Sequence, residues 1–454
     1  MFANAAVKCA VLTQERLSAN RTTQIENPDD LTTVYTYNKN GWVTKVTNKV
    51  DAQSANDIVV EYGYDKNGAR TSEKDPLTRE WTREYDAMGR NTKITAPTVT
   101  GQQSGKTVER WFDGNGNVVK VTDFKSVTTN YVYNARNQRS SMGWGANDDD
   151  VTYTWNCCRV TAFSDATGDA SLSYDQLSRL TSFTDTQDNQ VQYQYDSQSR
   201  VTRITDHTSA QTNYTYDVGG NVTRVATPSG NTDYTCDSAA RVSTRTYPNQ
   251  VKASYTYDTD SRVTQMKYED VSGMQPVLRE QYDFAYTGAY QSYTRTENSG
   301  MRWTYTFDKL RRLTQEKKQD TTQAPPTLHY QKDFSYDKAG NRTGYQHANG
   351  AGMQQYGPAF NYNSWAYDEM GRLTQIQDTN RSYTATLTND WNGNITEVAE
   401  VIPGTLNVTS SFSYDDENRL TMLSIGGAGF SATRRSAGIG FPRTSPPPRL
   451  RFSV

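Results

Sequence analysis

Residues 195–206 read YDSQSRVTRITD, and this one stretch holds the pattern on which the rest of the chain is built. Tyr195 closes a β-prone run in which Tyr193 stands two residues earlier. Period two is the strand signature, so both rings belong to one face of a sheet. Asp196 follows, and an Asp side chain can accept the backbone N–H two residues on, opening a turn. Val201-Thr202-Arg203-Ile204-Thr205 then returns to β-prone residues. The stretch predicts strand, tight turn, strand.

The pattern recurs at Tyr64-Asp65, Tyr85-Asp86, Tyr174-Asp175, Tyr216-Asp217, Tyr257-Asp258, Tyr336-Asp337, Tyr367-Asp368 and Tyr414-Asp415, and Phe112 and Phe307 head two further copies. Weaker copies are read on Tyr37, Tyr133, Trp155, Cys236, Tyr286 and Trp391. Of the 16 steps between these 17 anchors, six are 21 residues, and the rest run from 19 to 31. A unit that keeps its anchor while tolerating insertions is a strand pair with loops of variable length. Gly68, Gly89, Gly340 and Gly371 fall three residues after the Asp, where a left-handed residue closes a hairpin with a bulge. Arg90 and Arg372 follow directly and lead the outgoing strand. About 21 residues cover two strands and two turns, so one repeat is one hairpin. The Tyr and Asp anchors are read as structural: Tyr stacks along the sheet and Asp makes the turn.

Composition sets the architecture. Hydrophobic residues are 34% of the 454-residue chain, and counting the 30 Gly in place of the 31 Tyr barely changes that share. Ordinary domains reach roughly 45–50% on such a count. Yet aromatics are 11% and the net charge is −2, which is not a disordered composition. The chain is expected to be all-β, its tandem antiparallel hairpins forming a long wound (spiral) β-sheet that is part of a hollow shell. A continuous sheet twists and, when very long, must curl, split or wind. Three regions are expected: a poorly defined N-terminal segment over 1–32, the repeat array of about 17 hairpins over 33–424, and a basic tail over 425–454 that is disordered or non-native.

The pattern Y-D-x-x-G-R-x-x-x-x-T resembles the Rhs/YD-repeat family, shared with the C component of bacterial Tc toxins and with teneurins. The resemblance covers about residues 33 to 424. It implies a spiralling sheet that forms a cocoon around a C-terminal effector, often a toxin, in secretion-linked bacterial competition or surface contact. It therefore implies a secreted or cell-surface location. The family's self-cleaving segment with two Asp-Pro elements has no counterpart here. A single Asp75-Pro76 stands in the wrong place, so self-cleavage is not expected.

Little in the sequence points to chemistry. His207, His329 and His347 lie in no ligand spacing and are expected to face solvent or sit in hairpins. No G-x-S-x-G elbow is present. Gly101 to Thr107 (GQQSGKT) is one residue short of a phosphate loop and reads as a flexible connection. The acidic runs Asp148-Asp149-Asp150 and Asp415-Asp416-Glu417 read as exposed turns. Cys9, Cys157, Cys158 and Cys236 show no metal spacing and are expected to pack; adjacent Cys157 and Cys158 are poorly placed for an ordinary disulfide. No catalytic residue, metal or cofactor is expected. The near-neutral charge gives no general pull toward nucleic acid, and no apolar run reaches the roughly 18–20 residues of a membrane span. After Leu423 the pattern stops, and residues 425–454 hold five Arg with no Asp, Glu or Lys. That break predicts a fragment of a longer protein. Two functions compete: a structural segment that encloses a toxin or effector cargo with the rest of the same shell, and a surface module that binds glycans or a surface protein. Tyr rings packed along the sheet favour the first, and rings gathered on an open face favour the second.

Overall fold

A computed structural model describes residues 14–435 apart from 17–20, 27–30, 101–105, 146–149, 288–291, 351–360, 417 and 428–429. Among these residues there are 37 strands, from β1 (Gln14–Arg16) to β37 (Phe430–Arg435), and one 3-10 turn at Ser54–Asn56. Every strand pairs antiparallel with the next in the chain, so the order in space is the order in sequence. Among the described residues no ladder joins β1 to β37, and the sheet is an open strip. It begins before residue 33, with β1 and β2 (Thr22–Glu26), and β36 (Leu420–Gly427) runs past residue 424.

The two long edges of the strip differ. From β3 (Thr32–Tyr37) to β36, each odd strand turns into the next even strand at a Tyr-type anchor, giving 17 hairpins on one edge. Sixteen of these shift register by one residue at the anchor; only the hairpin headed by Tyr286 does not. At the other edge only two connections show such a shift. A bulge bends its strand and adds right-handed twist. Bulges concentrated on one edge bend nearly all the hairpins the same way, and the strip winds.

The winding is visible where distant turns meet. Arg79 lies between β6 (Arg70–Lys74) and β7 (Glu80–Tyr85). Its Nη1 donates to the carbonyl of Asp368, 289 residues away in the turn between β31 (Asn361–Tyr367) and β32 (Leu373–Asp378). Lys338 Nζ reaches the carbonyl of Ala55, 283 residues back. In each case the plain edge of the first winding docks on the Tyr edge of the second. One winding therefore takes about 23–25 strands. At about 4.8 Å per strand that is roughly 115 Å around. Barrels of about eight strands are filled by side chains, whereas wider ones leave a lumen. The burial agrees, since the described residues bury only seven hydrophobic side chains, four of them Ala96, Ala170, Ala253 and Ala385. Among the described residues the wall is one sheet thick, with no second layer packed against it.

Candidate functional site

The recurring structure on the Tyr edge is best followed at Tyr195. Asp196 N–H donates to the Arg200 carbonyl at 3.0 Å, and Ser199 N–H to the Asp196 carbonyl at 3.1 Å. The carboxylate Oδ1 accepts Gln198 N–H at 2.9 Å and Arg200 N–H at 3.0 Å, while Oδ2 accepts Arg200 Nε at 2.7 Å. The Arg200 backbone N–H, helped by its guanidinium, holds the Asp196 carboxyl below the usual carboxylate range. Arg200 also reaches onward: Nη1 donates to the Asp217 carbonyl at 3.3 Å, and Cζ lies 4.5 Å above the Tyr216 ring. Tyr216 reaches back, donating its hydroxyl to the Val201 carbonyl at 2.7 Å. Val201 lies opposite Tyr195 while Arg203 faces Gln194, so Thr202 is the extra residue of the bulge. The ladder from this strand to the next hairpin stops at Arg203 and Asn213. The next unit's Tyr takes the Val201 carbonyl beyond that point, so this hairpin is tied to its neighbour by three side-chain contacts besides the ladder.

The other anchors repeat this. The carboxylates of Asp65, Asp86, Asp175, Asp217, Asp258, Asp337, Asp368 and Asp415 each accept the N–H of the residue four on. Tyr64, Tyr85, Tyr174, Tyr195, Tyr257, Tyr336 and Tyr414 donate to a carbonyl of the preceding unit at 2.7–3.0 Å. Tyr367 bonds the Arg342 backbone. Gly68, Gly89, Gly340 and Gly371 take φ of 89°, 77°, 90° and 77°. Arg90 pairs with Asp86 at 2.7 Å and lies over Phe112; Arg372 pairs with Asp368 at 2.6 Å and lies over Trp391. Burial raises the phenol pKa of Tyr195, Tyr216, Tyr257, Tyr367 and Tyr414.

Four details differ from the sequence reading. The sixteenth anchor is Asn389-Asp390 and not Trp391: Asp390 opens the turn, and Asn389 Nδ2 donates to the Leu373 carbonyl at 2.9 Å in place of a Tyr hydroxyl. Asp390 with Gly393 three residues on was the signal, outweighed by the indole. The plain edge uses the same five-residue Asp turn, at Asp75, Asp123, Asp185 and Asp206; Asp206, which closes the stretch quoted first, marked it. His347 is 7% exposed, packed edge-on to Tyr330, and burial lowers its pKa. Cys157 and Cys158 are exposed rather than packed. The glycine-lysine stretch at 101–105, part of each acidic run and Cys9 lie outside the described residues.

Where the windings meet, the contacts are polar. Thr100 N–H donates to Glu369 Oε2 at 3.1 Å, and the Thr100 hydroxyl to Oε1, which lowers the Glu369 pKa. Asn392 Nδ2 donates to Asp123 Oδ2 at 2.6 Å, and Lys125 Nζ lies 3.7 Å from Asp390 Oδ2. At the contact of Lys338 with Ala55 is a cleft of about 660 Å³ lined by Asp51, Asn56, Asp308, Arg312, Asp337 and Lys338. Its carboxylates already serve turns, Asp308 with Arg312, Asp337 with Asn341, and Asp51 with Asn56.

With this geometry in view, comparison with known proteins is direct. Residues 149–249 match the teneurin YD-shell family model, and residues 64–98 match the RHS repeat. The two matches together cover less than a third of the 454 residues. No curated protein matches the sequence. Among solved structures, the YD-repeat chain superposes on TcdB2-TccC3-TEV with a TM-score of 0.67 at 13% identity, covering 94% of this chain and 26% of that one. The Photorhabdus luminescens Tc holotoxin pore gives 0.66 at 14% identity, with 94% and 27% covered. TcdB2-TccC3 without its hypervariable C-terminal region gives 0.68 at 13%, again with 94% and 27%. At such identity the likeness establishes the fold. The YD-repeat chain spans about a quarter of the length of these structures. No helix among its described residues is long and apolar enough to cross a membrane.

Proposed function

We propose that this chain is a wall segment of a hollow YD-repeat shell that encloses a polypeptide effector, with a structural and non-catalytic role. The observation that supports it most is the docking of one winding on the next, edge against edge, by contacts 269–289 residues apart in sequence. A strip that winds and docks on itself makes a continuous wall, and a wall works by exclusion: cargo inside is out of reach of proteases. The partners are the cargo and the rest of the same shell, since the chain amounts to about a quarter of the structures it resembles. The setting is export by a bacterium-like secretion route, by analogy with the Tc toxin structures.

Glycan binding has less support. The anchor Tyr hydroxyls are engaged by backbone carbonyls, and several of their rings lie under Arg side chains.

The test is protection. An unstructured, protease-sensitive reporter is fused after Val454 and digested, alongside the same reporter on an unrelated carrier. Cleavage slowed about tenfold or more on the YD-repeat chain supports enclosure; equal rates reject it.

A further inference from the structure

The hairpin of β13 (Val151–Asn156) and β14 (Arg159–Asp165) breaks the rule of the Tyr edge. Asn156 pairs directly with Arg159, so Cys157 and Cys158 alone make the connection, without the five-residue Asp turn. A two-residue hairpin turn asks for left-handed backbone, and Cys157 takes φ 51°. The turn leaves both side chains exposed, with the two Sγ atoms 3.1 Å apart. The Gln138 side-chain amide donates to the Cys157 carbonyl and braces the turn from the neighbouring hairpin. The seam between windings uses the Tyr edge only from residue 338 onward, so this turn lies on the free rim.

We propose that Cys157 and Cys158 form a reversible redox site, a vicinal dithiol that closes to a disulfide by exchange with a low-molecular-weight disulfide. One thiol loses its proton and attacks the external disulfide. It forms a mixed disulfide and displaces the first small thiolate. The neighbouring thiolate then attacks the protein sulfur of that mixed disulfide, and a second small thiolate leaves. Two protein thiols are oxidised, one external disulfide is reduced, and the two protons released go to the leaving thiolates or to solvent. The sulfurs begin in contact, so closure needs only a short movement to an S–S bond of about 2.0 Å. The product is strained, because neighbouring Cα atoms are about 3.8 Å apart against the usual 4.4–6.8 Å of disulfides. A strained, exposed disulfide is reduced easily, which suits a switch and not a permanent clamp. Arg136 and Arg159 are near enough to favour the Cys158 thiolate, while the Cys157 thiol beside it opposes ionisation more strongly. The turn is therefore slow to oxidise in a reducing cell and closes in an oxidising space.

The tryptic peptide 140–159 contains these two cysteines and no other. The full chain is equilibrated with mixtures of oxidised and reduced glutathione, quenched in acid, digested and weighed. In oxidising mixtures the peptide is expected to lose two hydrogens and gain no glutathione, and reduced glutathione alone reverses the change. Cys157→Ser is expected to gain one glutathione instead. Closure in the native chain is expected to be about tenfold faster than in urea, because the fold holds the sulfurs together. The proposal is overturned if the native peptide keeps two free thiols or takes two glutathiones in the most oxidising mixture. Equal rates in native and unfolded chain also overturn it.

Discussion

Neighbouring hairpins and neighbouring windings are held together in different ways. Along the strip, Tyr195 and Tyr216 belong to hairpins joined by a backbone ladder, a phenol-to-carbonyl bond, a guanidinium-to-carbonyl bond and a cation over a ring. Between windings there is no ladder among the described residues, only contacts with a side chain on at least one side, such as those of Arg79, Glu369 and Lys125. The first kind of contact is local and repeated at nearly every anchor. The second is sparse, polar and long-range. Folding energy thus resides in the strip, and the closed shape of the wall rests on a weak seam.

The largest test of this contrast is alkaline. The anchor phenols can donate only when protonated, and burial raises the pKa of Tyr133, Tyr195, Tyr216, Tyr257, Tyr367 and Tyr414. A raised folded pKa gives stability that is complete below the unfolded value of about 10 and is lost as pH rises through the folded value. Phenolate absorbance and circular dichroism are therefore expected to change together above about pH 10. Titration of all tyrosines with the sheet intact would sever the link between hydroxyls and ladder.

A single rung is the next test. Tyr216→Ala is expected to cost about 3 kcal/mol, from lost ring packing and an unmet Val201 carbonyl. Tyr216→Phe, which keeps the ring, is expected to cost about 1 kcal/mol. Chemical denaturation measures both, and equal costs would show that the hydroxyl is the whole contribution.

The smallest stability effect is expected at the seam. Replacing Thr100 and Lys338, both exposed, together by Ala is expected to change unfolding free energy by less than about 1 kcal/mol, as for other exposed polar contacts. The radius of gyration in small-angle scattering is nonetheless expected to rise, because the windings part. An unchanged radius would mean that the twist of the strip alone holds the shape.

What could be read from the sequence follows the same division. The Tyr–Asp turn is local, so its spacing gave the hairpin and its face. The left-handed residue was harder to see. Ser178, Ser199 and Ser261 adopt φ of 72°, 64° and 64° where glycine was the expected signal. There the Asp cap and its hydrogen bonds impose the turn on a residue that disfavours it. Trp391 misled because a large ring resembles an anchor, although Asp390 and Gly393 fix the register. The seam has no local spacing at all, since its partners are hundreds of residues apart. His347, expected to face solvent or sit in a hairpin, sits in the hairpin headed by Tyr336 and is buried there, two residues from Tyr345 on the same crowded face.

One feature of the fold has a mechanical consequence. The strands lie in chain order without a crossover, so nothing is threaded through anything else. A pull on one end meets a single hairpin at a time, each about 21 residues long over the regular stretch. Under load the wall comes away as a ribbon, strand after strand, and the part not yet reached keeps its curvature.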